Sequence, residues 1–319
     1  MCGASGQDAA FLSKLLLERG YRVVGTSRDA AMASFGNLER LGVRDRVKIV
    51  SAALTDFRSI IRVLLELEPD EIYNLSGQTS VGLSFDQPAE ALESIAFGTL
   101  NLLEAIRMLK RPVRFYNASS SECFGDVDGA PADEDTPFRP RSPYGVAKAA
   151  AFWQVSSYRE AYGLFACSGI LFNHESPLRP ERFVTQKVVA AACRIARGSQ
   201  ERLRLGDLSV RRDWGWAPEF VEAMWRMLQG DQPRDYVICT GETNPLSAFV
   251  EEAFAAVGLR ASDHVDQDKG LFRPGDLRSS VGSAARAREE LGWSAAYKMR
   301  DVVRAMVAAH QATGRSQPL

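Results

Sequence analysis

Tyr144 and Lys148 lie four residues apart, and Ser120 and Glu122 precede them. On a helix, a four-residue spacing puts a phenol and an ammonium on one face, about a turn apart. An ammonium beside a phenol favours the phenolate and lowers a pKa that starts near ~10. Bringing it to near ~7 takes about 4 kcal/mol at about 1.36 kcal/mol per unit. Tyr144 would then be a base that removes an alcohol proton while hydride leaves the same carbon. If extended geometry persists past Ala118, Ser120 and Glu122 project to the same side. Ser120 can hydrogen-bond the hydroxyl that Tyr144 deprotonates, and Glu122 can remove a proton alpha to the new carbonyl. Simple alcohol oxidation does not need that second acid/base. Each feature has an ordinary explanation: Tyr-x-x-x-Lys arises by chance in helices, a serine run caps a strand end, and a loop glutamate is solvated. All of them in this order, after a nucleotide-binding pattern, make chance a poor account.

Positioning these groups requires a framework, and the first third of the chain supplies one. Helices are expected over 9–19, 59–67 and 91–108, and strands over 21–25, 47–51, 71–75 and 113–118. This alternation predicts an α/β fold, a Rossmann-like doubly wound parallel sheet with helices on both faces. Ligands in such sheets lie beyond the carboxyl ends of the strands. Residues 126–141 carry Gly129, Pro131, Pro137, Pro140 and five acids, and read as a loop over the site. A helix starts near Tyr144 and runs to about Tyr162. Beyond Asn173 the order becomes irregular: a strand and turn at 203–206, a helix over 217–228, a strand over 236–240 that returns to the first sheet, and helices over 245–257 and 299–309.

The 319 residues suffice for one large α/β unit or two domains sharing a core. Hydrophobic residues make up 45% and charged residues 25%, ordinary for a soluble protein. A net charge of -1 implies no general attraction to nucleic acid or membrane. The longest apolar runs are far too short for a bilayer span, and no secretory signal is evident. Five widely spaced cysteines without Cys-x-x-Cys argue against a disulfide framework or a zinc site, and no histidine pair has metal-ligand spacing. A reduced, cytoplasmic enzyme without a metal is the expectation.

Gly3-Ala4-Ser5-Gly6-Gln7-Asp8-Ala9 opens the first helix. Glycines there let the backbone turn tightly and approach a pyrophosphate resting on helix N–H groups. Only Met1 and Cys2 precede Gly3, whereas a central parallel strand usually has about 5 residues. The sequence therefore reads as an incomplete start; the alternative is a truncated first strand and a weakened cofactor site. After the second strand no acid stands where NAD's ribose would be held. Arg28 could pair with the 2′-phosphate of NADP, or be a solvated arginine beside Asp29.

With these residues in view, the chain resembles the extended short-chain dehydrogenase/reductases and, more closely, the GDP-mannose 4,6-dehydratase family. The segments that carry the resemblance are 69–75, 140–144 with Lys148, 169–177, 183–185, 212–215 and 272–274. It implies NADP as cofactor, GDP-mannose as substrate and a hydro-lyase reaction with no net use of cofactor. In that scheme Tyr144 takes the 4-hydroxyl proton, and Glu122 removes the C5 proton and assists loss of the C6 hydroxyl. Cofactor contacts are implied for Gly3, Ser5, Gly6, Gln7, Asp8, Arg28, Leu54, Leu75, Tyr144, Lys148 and His174. Substrate contacts are implied for Ser80, Asn173, Val184, Lys187, Leu205, Gly206, Arg212, Arg273 and Asp276. Arg212 would pair with Asp213 if it served structure alone. The NADP-binding domain is expected over 1–172 plus about 217–241, and a smaller, interleaved C-terminal substrate domain over 173–216 and 242–319. A homodimer or homotetramer through the 144–162 and 91–108 helices is also implied.

The chain departs from the family pattern at Ser120, where threonine is common, at Gln186 for a frequent arginine, at Ala53 for an aspartate, and at Asp29 for a basic residue. Two other functions stay open at this point. One is a nucleotide-sugar epimerase or ketosugar reductase on the same fold. The other is an NADP-binding protein that has lost catalysis.

Overall fold

The computed structural model describes residues 1–127, 129–272 and 275–315. Gly3 to Gly6 turn the chain into α1 (Gln7–Glu18), which buries Leu12 and Leu16. The Tyr21 amide still bonds the Leu16 carbonyl, so the next strand, β1 (Val24–Ser27), starts three residues later than expected. Short helix α2 (Gly36–Arg40), β2 (Lys48–Ser51) and α3 (Phe57–Leu67) follow. Asp56 caps α3 by accepting the Arg58 amide at 3.1 Å. After β3 (Glu71–Asn74) come α4 (Val81–Asp86), α5 (Pro88–Leu92) and α6 (Gly98–Leu109). A π turn over Glu93–Phe97 joins α5 to α6, which divides the single helix expected there. Strand β4 (Arg114–Ser120) ends in one 3₁₀ turn, Ser121–Cys123. Helix α7 (Pro143–Tyr162) is fixed at both ends: Ser142 accepts the Gly145 amide at 3.0 Å, Pro143 stands first, and Gly163 closes it at φ 66°. Strand β5 (Ala166–Leu171) follows.

These strands form one parallel sheet. β1 pairs with β2, β3 with β4, and β4 with β5. The central position between β1 and β3 is occupied by Met1 and Cys2. The Met1 carbonyl accepts from Thr26, while the Cys2 amide and carbonyl bond Tyr73 and Leu75. Two residues thus make the contacts of a central strand. β4 is buried from Phe115 onward and β5 throughout, as expected for strands covered on both faces.

Beyond β5 lie β6 (Asn173–Glu175), α8 (Val184–Ala196), β7 (Leu203–Leu205), β8 (Arg211–Arg212) and β9 (Trp214–Trp216). Helix α8 is an element the irregular sequence pattern concealed. Helix α9 (Ala217–Met227) leads to β10 (Tyr236–Ile238), which pairs parallel with β5 and so returns to the first sheet as expected. The chain ends with β11 (Asn244–Pro245), α10 (Leu246–Ala255), β12 (Val265–Gln267), α11 (Ala285–Leu291) and α12 (Met299–Arg315). One core layer joins α1 and α9 to the sheet through Leu12, Phe220 and Met224. The opposite layer joins α3, α6 and α7 through Ile60, Leu103 and Val155. A separate cluster holds α8, α10 and α12 around Trp214, Phe249 and Val303.

Candidate active site

Strand β4 delivers Ser120 to the carboxyl edge of the sheet, where the chain changes geometry. The Ser120 hydroxyl accepts the Glu122 amide at 3.3 Å and closes the 3₁₀ turn. Glu122 is therefore presented by a turn, which corrects the expectation that it continues the extended strand. The turn lies directly on the first turn of α7: a Cβ at position 145 would come within 2.8 Å of the Glu122 carbonyl oxygen, so glycine permits the approach. Tyr144 is fixed by its own amide, which donates to Ser84 of α4 at 3.1 Å. The four expected catalytic residues are thus brought together at the junction of β4 and α7.

The electrostatics of the pair differ from expectation. Lys148 Nζ stands 5.7 Å from the Tyr144 ring centroid and donates to the Ala118 carbonyl at 2.7 Å. Burial pushes the Tyr144 phenol well above its ordinary value; the Ser120 hydroxyl opposes this, and Glu122 adds to it. Burial also lowers Lys148 to about 8. In the protein alone desolvation dominates, because removing a phenolate from water costs more than the Ser120 hydroxyl and the Arg179 charge return.

Gly3 adopts φ +81°, and a Cβ there would come within 2.9 Å of the Leu75 carbonyl oxygen. The loop consequently hugs the end of β3. Gly6 caps α1 with no side-chain acceptor on the helix, leaving first-turn amides for an anion. Ser5 is exposed, and Leu54 and Leu75 are half-buried. Arg28 is exposed at the end of β1, with no ion pair among the described residues; Asp29 accepts the Ala31 and Met32 amides. This glycine cradle and uncapped helix fit a dinucleotide.

Gln7 and Asp8 tie the same helix to β6. Gln7 Nε2 donates to the His174 carbonyl at 3.1 Å, and His174 Nε2 meets Asp8 Oδ2 at 2.9 Å. The imidazole stacks on Phe220 at 4.6 Å. Burial alone would lower the His174 pKa, yet the Asp8 carboxylate carries it above its ordinary 6.5; burial would raise Asp8, yet His174 carries it below. The raised histidine stabilises the fold below pH 6.5 and loses this as pH rises through its folded pKa. The depressed Asp8 contributes above its ordinary 3.8 and loses this as pH falls through its folded pKa. The pair is ionic between the two. An NMR titration should give His174 a midpoint above 6.5. In Asp8→Asn the midpoint should drop below that value, since only the Phe172 carbonyl then opposes burial; an unmoved midpoint would contradict the pairing.

The expected substrate residues are more dispersed. Ser80 caps α4 by accepting the Leu83 amide at 3.3 Å. Asn173 is exposed at the start of β6, and Val184 and Lys187 occupy the first turn of α8. Lys187 Nζ donates to the Arg204 carbonyl at 2.8 Å, tying α8 to β7. The Leu205 side chain is buried in the α8–α10–α12 core, so only its backbone and Gly206 can border a ligand. Arg212 pairs with Asp276 at 2.7 Å and not with Asp213, whose carboxylate accepts the Thr240 and Gly241 amides. Arg273 lies outside the described residues. Gln186 is buried under α12, where its amide meets His310 at 2.5 Å. In this chain the side chain thus anchors that helix. Arg179, which sequence reasoning missed, is held by Glu175 at 2.8 Å and by the His174 carbonyl at 2.7 Å, and its charge is felt at Tyr144 and Asp8. The arginine shortly after the His-Glu-Ser-Pro run was the available signal.

A parallel nucleotide-binding sheet with Ser120, Tyr144 and Lys148 at its carboxyl edge defines a Rossmann-type protein of the short-chain dehydrogenase/reductase class. A solved structure of the same architecture is Thermus thermophilus UDP-glucose 4-epimerase in complex with NAD, 26% identical with TM-score 0.85, covering 97% of each chain. RMD from Pseudomonas aeruginosa complexed with NADPH shares the fold at 24% identity and TM-score 0.78, over 92% of this chain and 100% of that one. The chain belongs to the family described as GDP-mannose 4,6 dehydratase, which it matches over residues 1–306. Arabidopsis thaliana GDP-mannose 4,6 dehydratase 1 is 43% identical over 315 residues, covering 96% of this chain and 87% of the relative. The Homo sapiens GDP-mannose 4,6 dehydratase is 39% identical, covering 99% and 92%.

Proposed function

We propose that this chain converts GDP-mannose to GDP-4-dehydro-6-deoxymannose and water, with NADP bound. The observation that carries the reading is the convergence of Ser120, Glu122, Tyr144 and Lys148 on one edge of the sheet. Ser120 orients the sugar 4-hydroxyl and Tyr144 accepts its proton. Glu122 takes the C5 proton, acidified by the C4 ketone, and protonates the C6 hydroxyl as it leaves as water. NADP would supply a reversible hydride store, so the hydrogen lost from C4 ends on C6, C5 takes a proton back from solvent through the acid/base groups, and no cofactor is consumed. Lys148 keeps a positive charge beside the phenol. Gly3, Ser5, Gly6, Arg28 and His174 would hold the dinucleotide. Asn173, Lys187, Arg212 and Asp276 would face the nucleotide sugar.

The domain assignment follows from the same reading: 1–172 with about 217–241 for cofactor, 173–216 with 242–319 for substrate. A homodimer or homotetramer is supported by exposed Phe97, Met108, Val146, Trp153 and Tyr162 on the π turn, α6 and α7. No helix among the described residues is long and apolar enough to cross a membrane. Five buried free thiols support a reducing, cytoplasmic setting.

Incubation of the purified protein with GDP-mannose and catalytic NADP is expected to give the 4-keto-6-deoxy product by NMR, with no net absorbance change from NADPH. An untouched nucleotide sugar, or stoichiometric NADPH turnover with oxygen retained at C6, would defeat the reading.

A further inference from the structure

The first turn of α7 has its donors assigned, and one assignment crosses to another element. Pro143 carries no N–H, and Ser142 takes the Gly145 amide on its hydroxyl at 3.0 Å and the Val146 amide on its carbonyl at 2.9 Å. The Tyr144 amide lies too early in the helix to reach a carbonyl of its own helix. Its acceptor is the Ser84 hydroxyl, 60 residues earlier, at 3.1 Å. Ser84 is fully buried, and its hydroxyl donates to the Val81 carbonyl at 2.7 Å. That bond uses its one proton and leaves the lone pairs for the amide, so the direction of the contact is fixed.

Helix α4, which carries Ser84, is itself held. The Ser80 amide donates to the Gln78 side-chain oxygen at 2.6 Å, and the Gln78 amide donates to the hydroxyl of Ser94 in the π turn at 3.1 Å. The next residue of that turn, Ile95, packs with Tyr144, Ala147 and Ala151, and Val81 of α4 joins the same cluster. π turns inserted in helices recur at functional sites. This one steadies both α4 and the packing around Tyr144. On the other side, the Glu122 carbonyl is seated against Gly145. The backbone at 144–145 is therefore gripped from α4 and from the turn that presents Glu122. Ser80, which caps α4, is also a residue for which a substrate contact is expected.

We propose that Ser84 is a positioning residue for the base: its hydroxyl holds the Tyr144 backbone where the phenol meets the sugar 4-hydroxyl, and so registers α7 against the sugar-binding end of α4. The inference rests on the reading above, in which Tyr144 takes the 4-hydroxyl proton. A displacement of about 1 Å at a reacting group can cost about a hundredfold in rate, so loss of one anchor among several is expected to cost about tenfold.

The test is a double-mutant cycle of Ser84→Ala and Tyr144→Phe on GDP-mannose turnover, with exchange of the Tyr144 amide proton followed by NMR. Alanine removes one oxygen and favours a helix, so the variant should fold as the parent does. Ser84→Ala is expected to lower kcat about tenfold, leave KM within about twofold and speed exchange of the Tyr144 amide about tenfold. In the Tyr144→Phe background the same change should cost nothing further, because no phenol is left to position. A residue serving structure alone would lower stability with kcat intact, or would cost the same in both backgrounds. Either result, in a parent that turns over GDP-mannose, overturns this inference alone. A parent inert towards GDP-mannose defeats the functional reading. Faster amide exchange in its Ser84→Ala variant then leaves the anchor standing, and unchanged exchange overturns both.

Discussion

Glu122→Gln is expected to lower formation of the 4-keto-6-deoxy product by about 10³-fold while GDP-mannose binding changes less than about threefold. The substitution is nearly isosteric. It leaves intact the backbone contacts that shape the turn, the amide bond to Ser120 and the carbonyl seated against Gly145. What it removes is a group that can accept the C5 proton and return a proton to the departing hydroxyl. The second readout follows from that role: in deuterated water the parent places solvent deuterium at C5 of its product, and the variant should not exchange that position. A variant turning over within about threefold of the parent, or exchanging C5 normally, would remove Glu122 from the proton chemistry and return the site to simple oxidation and reduction.

The placement of Tyr144 and Lys148, two of the proposed catalytic residues, was legible because its determinants are local. A serine cap, a following proline and a helical spacing of four decide where Tyr144 and Lys148 point, and all three are written within seven residues. The parallel sheet was legible for a similar reason, since buried central strands carry continuous apolar runs. Glu122 shows where local reading stops. Continuing the strand seemed natural, but the Ser120 hydroxyl offered the Glu122 amide a nearer acceptor than any ladder, and the chain turned. The π turn at Glu93–Phe97 was hidden for the opposite reason, because its residues are ordinary helix formers and only one register shift separates it from a continuous helix.

Long-range pairs were not legible at all. Asp213, adjacent to Arg212, was the partner expected if the arginine served structure alone, but the amides of Thr240 and Gly241 claim that carboxylate and leave the arginine to a residue 64 positions away. Spacing along the chain holds no record of such a choice. The same holds for His174, whose partner Asp8 lies 166 residues earlier, and for the central sheet position, where Met1 and Cys2 bond to β1 and β3. Of the expected substrate residues, Lys187, Leu205 and Arg212 prove to have intramolecular commitments.

Tyr144→Phe is expected to reduce kcat by about 10³-fold and to change the pH profile as well as its height. The phenol is buried and its pKa is driven upward by that burial, so the phenolate exists only while positive charge is kept beside it. Lys148 supplies such a charge. Its pKa is lowered from 10.5 to about 8, so the ammonium is present below that pH and is lost above it. The parent's kcat/KM should therefore fall above about pH 8, as the Lys148 ammonium is lost. Phenylalanine removes the oxygen that needs the ammonium, so the small residual activity of the variant should pass through about pH 8 without that limb. Helix α7 is capped by Ser142 and the Tyr144 amide is held by Ser84, neither of which involves the hydroxyl, so the variant should bind NADP and GDP-mannose nearly as the parent does. A variant keeping more than about a tenth of the parent's kcat, or one whose activity still declines through about pH 8, would mean that the proton leaves the sugar by another route and that Lys148 acts on something other than the phenol.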